Sequence, residues 1–133
     1  MKLTFPKNER ITYKKDIERL FSSGKQKFIY PFKILWFEDP DDKKQVKVLI
    51  SVSKKIFKKA VDRNLLKRRI KESYRLNKHL LYDNPDFDNK KLSLAFIYVA
   101  KEKIDFFKID LKMKEILKTL INTAILNNKN KQL

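Results

Sequence analysis

Residues 54–75 read KKIFKKAVDRNLLKRRIKESYR, and this stretch organises the rest of the chain. It carries ten Lys or Arg against two acids, Asp62 and Glu72, a net +8 within 22 residues. Val61, Leu65, Leu66, Ile70 and Tyr74 recur at three- to four-residue spacing, which predicts a helix with one buried stripe. Arg63, Lys67, Lys71 and Arg75 are spaced by four, with Asn64 and Arg68 beside them, so the spacing gathers them on the other side. A solvated face normally interleaves Glu with Lys to gain i,i+4 pairs, and that interleaving is nearly absent. Like charges so close are tolerated best when a polyanion neutralises the row.

The remainder of the 133 residues keeps the same sign. Of the +17 total, +9 lies outside the stretch, and this balance points to nucleic acid ahead of an anionic membrane surface. Hydrophobic residues make up 42% and include ten Phe, five Tyr and one Trp, while one Gly leaves little room for flexible linkers. One domain spanning 1–133 with a genuine core is expected. There is no Cys, hence no disulfide, no thiolate nucleophile and no Cys-based zinc site. No apolar run approaches a membrane span and residues 1–11 lack a signal-type segment, so a cytoplasmic protein is expected, with no membrane partner.

Outward from the basic helix the elements follow in order. Residues 1–11 read as an extended arm. Thr12 is placed to cap a helix with Tyr13, Ile17, Leu20 and Phe21 on one face, stopped at Gly24. FIYPFKILWF, residues 28–37, and the alternating Val46, Val48, Ile50 and Val52 predict two strands joined through the acidic turn 38–42 as an antiparallel hairpin. The basic helix is expected to run to about Tyr82. KLSLAFIYVA, residues 91–100, is apolar nearly throughout, as a strand covered on both faces would be, and belongs at the sheet centre. A final helix carries Met113, Ile116, Leu117, Leu120, Ile121, Ala124 and Ile125 at helical period, with a frayed tail at 127–133. The reading is α+β, a two-layer α-β domain in the order α-β-β-α-β-α.

Catalytic chemistry is hard to place on these residues. His79 is the single histidine, no Gly-rich phosphate loop is possible, and the acids fall in turns and on outer helix faces. The residues alone describe a binding protein. Lys and Arg would supply salt-dependent affinity for phosphates. Phe21, Phe28, Tyr30, Phe32 and Trp36 are candidates for stacking on unpaired bases, each weighed against burial in the core. A small basic ribosomal or RNA-chaperone protein and a DNA-binding module share these features.

The run Ile50-Ser51-Val52-Ser53-Lys54-Lys55, followed by Ala60-Val61-Asp62-Arg63-Asn64 and Lys67-Arg68, resembles the signature of the bacterial ribonuclease P protein component. The layout from about Arg10 to Tyr98 is similar to that family as well. Departures occur at Ile17, an aromatic position in the family, at Leu65 and Lys71, where Arg is frequent, and at Phe57-Lys58-Lys59, where one common version has Gly. The resemblance implies a small mixed sheet with a left-handed β-α-β crossover, and a subunit of an endoribonuclease that removes the 5′ leader of precursor tRNA. It implies that a partner RNA holds both the hydrolytic site and the Mg2+ ions, so no residue of this chain is catalytic. Carried over by position, Lys54, Lys55, Arg63, Asn64, Lys67, Arg68 and Lys71 would bind the catalytic RNA. Ile17, Phe21, Leu35 and Ser51 would line a cleft for the leader.

Overall fold

The computed structural model describes residues 5–12, 14–40, 45–85 and 90–131, with Pro40 and 123–131 described by backbone alone. A 3-10 turn, Lys7–Glu9, precedes α1 (Lys14–Ser23), β1 (Lys25–Ile29), β2 (Phe32–Pro40) and β3 (Gln45–Val52). Then come α2 (Ala60–Asn77), the short α3 (His79–Tyr82), β4 (Lys90–Tyr98) and α4 (Phe106–Lys131). The α+β class holds, and the expected order gains one strand, β1.

β1 escapes the sequence reading for a physical reason. Lys25, Gln26, Lys27 and Phe28 are all exposed, as on an edge strand open to solvent, so no apolar alternation announces it. It pairs antiparallel with β2 through a turn at Tyr30-Pro31, whose peptide is cis. Gly24 joins α1 to β1 with no intervening loop. A Cβ there would lie 2.3 Å from the Leu20 carbonyl oxygen and 3.1 Å from that of Trp36, so only glycine fits.

The strand order is β1-β2-β4-β3, which corrects the expected hairpin. β2 pairs antiparallel with β4, and β3 pairs parallel with the other edge of β4. Period-two alternation in β2 and β3 states which residues face the core and says nothing about which strand is the neighbour. β4, with Leu92, Leu94, Ala95, Phe96 and Tyr98 buried, takes the interior position that two-sided burial requires. The acidic turn between β2 and β3 falls largely at 41–44, outside the described residues.

One sheet face carries the main core. Phe32, Ile34 and Trp36 of β2, Val46, Val48 and Val52 of β3, and Leu94, Phe96 and Tyr98 of β4 pack there with Leu66, Ile70 and Tyr74 of α2 and Ile109, Met113, Ile116 and Leu117 of α4. Phe32 and Trp36 are thereby committed to the core and are not stacking candidates. The opposite face carries a smaller cluster, Ile11, Leu20, Leu35 and Ala95, with Ile17, Phe37, Leu49 and Ile97 at its margin. α1 covers that cluster. Ala124 and Ile125 fall where only backbone is described. The helical backbone of α4 continues to Lys131, through most of the stretch expected as a tail, and 132–133 lie outside the described residues.

The basic helix is shorter than its periodicity suggested. α2 begins at Ala60, because Lys54–Ile56 form a turn in which the Phe57 amide bonds the Ser53 carbonyl at 3.0 Å. It ends at Asn77, and α3 takes up the remainder to Tyr82. Val61 is 76% exposed and does not belong to the buried stripe. At about 100° per residue it lies roughly 180° around the helix from Ile70.

Candidate nucleic-acid interface

The buried stripe of α2 runs through Leu66, Ile70, Ser73, Tyr74 and Asn77. Its geometry grades the polar residues: Arg63, Lys67 and Lys71 flank the stripe and are half-buried, whereas Asn64 and Arg68 are exposed. Lys54 and Lys55 are exposed in the turn that leads into the helix. Among the described residues none of Lys54, Lys55, Lys67, Arg68 or Lys71 is paired with a carboxylate. Glu72 is taken by Arg75, 3.1 Å away, whose hydrogen bond holds the Glu72 carboxyl below its ordinary range. Asp62 is taken by Lys103 at 3.0 Å. Glu72 is thus spent on Arg75 at the end of the row and Asp62 on Lys103 outside it, which leaves Lys54, Lys55, Lys67, Arg68 and Lys71 without a carboxylate among the described residues.

Arg63 does more than face outward. Its Nη1 donates to the carbonyl oxygens of Phe57 at 2.8 Å and Lys58 at 2.9 Å. Phe57 is buried, its ring 6.0 Å from that of Tyr98, and the Lys55 amide donates to Ser53 Oγ at 3.1 Å. The turn bearing Lys54 and Lys55 is thus pinned at both ends.

Arg10 joins this row although nothing in the local sequence marked it. The Phe5 ring packs on Tyr74 at 5.5 Å, and the Arg10 guanidinium lies over the Phe5 ring at 5.2 Å. Glu9 accepts from Lys78 Nζ at 3.0 Å, and the Ile11 amide donates to the Val48 carbonyl at 3.0 Å. These contacts lay the arm along the Lys71–Tyr74–Lys78 side of α2. Partial burial, then the charges of Arg10 and Lys67, hold the Lys71 ammonium below its ordinary value. A phosphate placed there would relieve all three.

The other expected residues lie on α1, Ile17 and Phe21, and on the sheet face beneath it, Leu35 and Ser51. Leu35 is 4% exposed and belongs to the floor, so it offers no surface to a ligand. Ile17 is half-buried at the margin of the same cluster. Phe21, on the last turn of α1, is 57% exposed. Ser51 is half-buried, paired with Ile97 across the β3–β4 ladder and three residues before Lys54. The structure thus gathers these four on one face and places the seven RNA-binding candidates on α2 and the turn before it. His79 sets Nδ1 3.1 Å from the Leu76 carbonyl oxygen. Among the described residues no three His, Asp or Glu group to hold a metal ion.

Residues 5–123 match the family model described as Ribonuclease P. The chain belongs to the ribonuclease P protein family. A ribonuclease P protein component of Porphyromonas gingivalis is 35% identical over 112 residues, covering 84% of this chain and 82% of that one. The solved RNase P protein of Thermotoga maritima superposes with a TM-score of 0.62 at 25% identity, covering 84% of this chain and 96% of that one. That of Staphylococcus aureus gives a TM-score of 0.62 at 24% identity over 86% and 96%. Membership implies association with ribonuclease P RNA and a part in tRNA processing. Among the described residues no helix is long and apolar enough to cross a membrane.

Proposed function

We propose that this member of the ribonuclease P family binds the catalytic RNA through Lys54, Lys55, Asn64, Lys67, Arg68 and Lys71, with Arg63 behind them and Arg10 beside them. Its second substrate surface is the sheet face under α1, where Ile17, Phe21 and Ser51, over the Leu35 floor, receive the single-stranded 5′ leader of precursor tRNA. Hydrolysis is assigned to the RNA, which would also hold the Mg2+ ions and with them supply the hydrolytic chemistry. The protein's part is to neutralise two polyanions brought close together and to hold the leader in line, in the cytoplasm where precursor tRNA is made.

The observation that carries this reading is the group Lys54, Lys55, Lys67, Arg68 and Lys71, which no carboxylate pairs among the described residues, Glu72 and Asp62 being held by Arg75 and Lys103. The test is cleavage of a precursor tRNA by ribonuclease P RNA from the same organism at low magnesium, with and without the protein, across a salt series. Strong stimulation that fades with salt is expected. No stimulation by a folded protein would leave a general RNA-binding role.

A further inference from the structure

The described residues expose seven large apolar side chains. Phe21, Phe28 and Tyr30 belong to α1, β1 and the turn after it, while Val61, Leu76, Phe107 and Leu111 lie in the helical layer on the other side of the sheet. Phe107 is 80% and Leu111 66% exposed, and at i,i+4 they stand together on the outer face of α4. Across the helix from them, Ile109, Met113, Ile116 and Leu117 are fully buried, so the pair has no place in the core. Single exposed apolar residues are ordinary, but two adjoining ones turned squarely to solvent leave a patch that a partner would cover.

Charge decides what can cover it. Residues 105–115 carry Lys108, Lys112 and Lys114 against Asp105, Asp110 and Glu115, a net of zero in a chain of +17. Lys112 pairs with Glu115 at 3.4 Å, Lys114 with Asp110 at 3.1 Å, and Lys103, just before the helix, with Asp62 at 3.0 Å. A polyanion gains little from cations already paired, and a strongly acidic or basic protein meets no opposite field. An apolar centre with a balanced rim is complementary to itself.

The register along α4 bears this out. Laid antiparallel about a two-fold axis at Leu111, two such helices set Leu111 against Leu111 of the second copy. Lys108 lies three residues to one side of that axis and Glu115 four to the other, so the two come level to within about one 1.5 Å step. At about 100° per residue they also share one flank of the Phe107–Leu111 face, the flank away from Asp110 and α2. The axis therefore brings each Lys108 to Glu115 of the second copy. Ser73 and Asn77 reach Asp110 on the α4 side of α2, whereas Lys71 lies beside Arg10 on the other, so this contact leaves the lysines of α2 free.

We propose that a second copy of this chain docks antiparallel on the outer face of α4 through Phe107 and Leu111. The contact goes beyond the ribonuclease P reading and stands without it. Each copy carries +17, so the pair forms against a repulsion that salt screens. Salt therefore strengthens this association, whereas it weakens binding to RNA.

The test is sedimentation equilibrium of the 133-residue protein over a concentration series at low and high salt. A monomer–dimer equilibrium that tightens with salt is expected. Each substitution enters the contact twice, so Phe107→Ala and Leu111→Ala should each raise the dissociation constant by about tenfold or more. Both should keep the thermal midpoint of the wild type, since neither side chain is in the core. Lys108→Glu should weaken the pair, and combining it with Glu115→Lys should restore it. Phe21→Ala, on the other side of the sheet, should change nothing. A protein that stays monomeric at every concentration, a dimer indifferent to Phe107 and Leu111, or a charge reversal that fails to restore pairing would overturn the proposal. A loss of affinity for ribonuclease P RNA in Phe107→Ala, with no change in self-association, would make this face an RNA contact and overturn it equally.

Discussion

The guanidinium of Arg63 donates a 2.8 Å hydrogen bond to the carbonyl oxygen of Phe57, across the junction between the lysine turn and α2. The residue that reads in the sequence as a phosphate ligand therefore also braces the segment presenting Lys54 and Lys55. Arg63→Ala should loosen that turn, seen as faster amide exchange at 54–59. The slope of log affinity for the catalytic RNA against log salt should fall by more than the roughly one unit expected for a single lost phosphate contact. A loss of one unit with unchanged exchange would make Arg63 a simple phosphate ligand.

Arg68 provides the contrast. It is exposed, and among the described residues no acid pairs with it, so Arg68→Ala should weaken assembly with the RNA and reduce the salt slope by about one. The thermal midpoint should stay within about 2 °C, because surface substitutions of this kind fall within roughly ±0.5 kcal/mol. A marked fall in the midpoint would mean that Arg68 packs against the domain.

Phe21→Ala should weaken leader-bearing precursor tRNA by about fivefold or more and leave mature tRNA unaffected, as stacking on one base would require. Equal loss for both RNAs would remove Phe21 from the leader surface.

Asp110 ties α4 to α2. It accepts from Ser73 Oγ at 2.8 Å and from Asn77 Nδ2 at 2.7 Å, with Lys114 3.1 Å away. Burial alone would raise its carboxyl, but these three donors outweigh it and hold the group below its ordinary 3.8. Asp110→Ala should cost about 2 kcal/mol, since the buried Ser73 hydroxyl and Asn77 amide lose an acceptor. A carboxyl lowered by folding contributes stability that is fully present above its unfolded value and is lost as pH falls through the folded value. The gap between wild type and variant in chemical denaturation should therefore hold near neutrality and narrow below pH 3.8. A gap constant into that range would show that the charge is immaterial.

Glu9 and Lys78 make the one ion pair described here with a nearly closed cation, Lys78 being 3% exposed. Glu9→Ala should destabilise by about 2 kcal/mol, because a buried ammonium loses its carboxylate and keeps the Tyr82 ring 5.5 Å away. It should also weaken RNA binding by freeing the arm that places Arg10 beside Lys71. Normal stability with normal binding would make the arm a passive passenger.

The sequence alone determined the properties set by local period and by charge. The apolar stripe through Leu66, Ile70 and Tyr74, the two-sided burial of β4, the stop at Gly24 and the cationic face of α2 are all legible, because each depends on neighbours within one or two turns. The motif from Ile50 to Arg68 supplied the family. Tertiary structure decided what depends on partners far along the chain. Strand neighbours were one such matter, since alternation in β2 and β3 is indifferent to β4 lying between them. The β1 edge was another, because its polar residues bury nothing. The fates of individual side chains complete the list: Leu35 closes into the floor, Arg63 turns back to Phe57 and Lys58, Val61 swings to solvent, and Arg10 arrives beside Lys71 through Phe5 on Tyr74 and Glu9 on Lys78. Each was decided by contacts between segments that periodicity treats separately, and burial and pairing there are properties of the assembled sheet and helices.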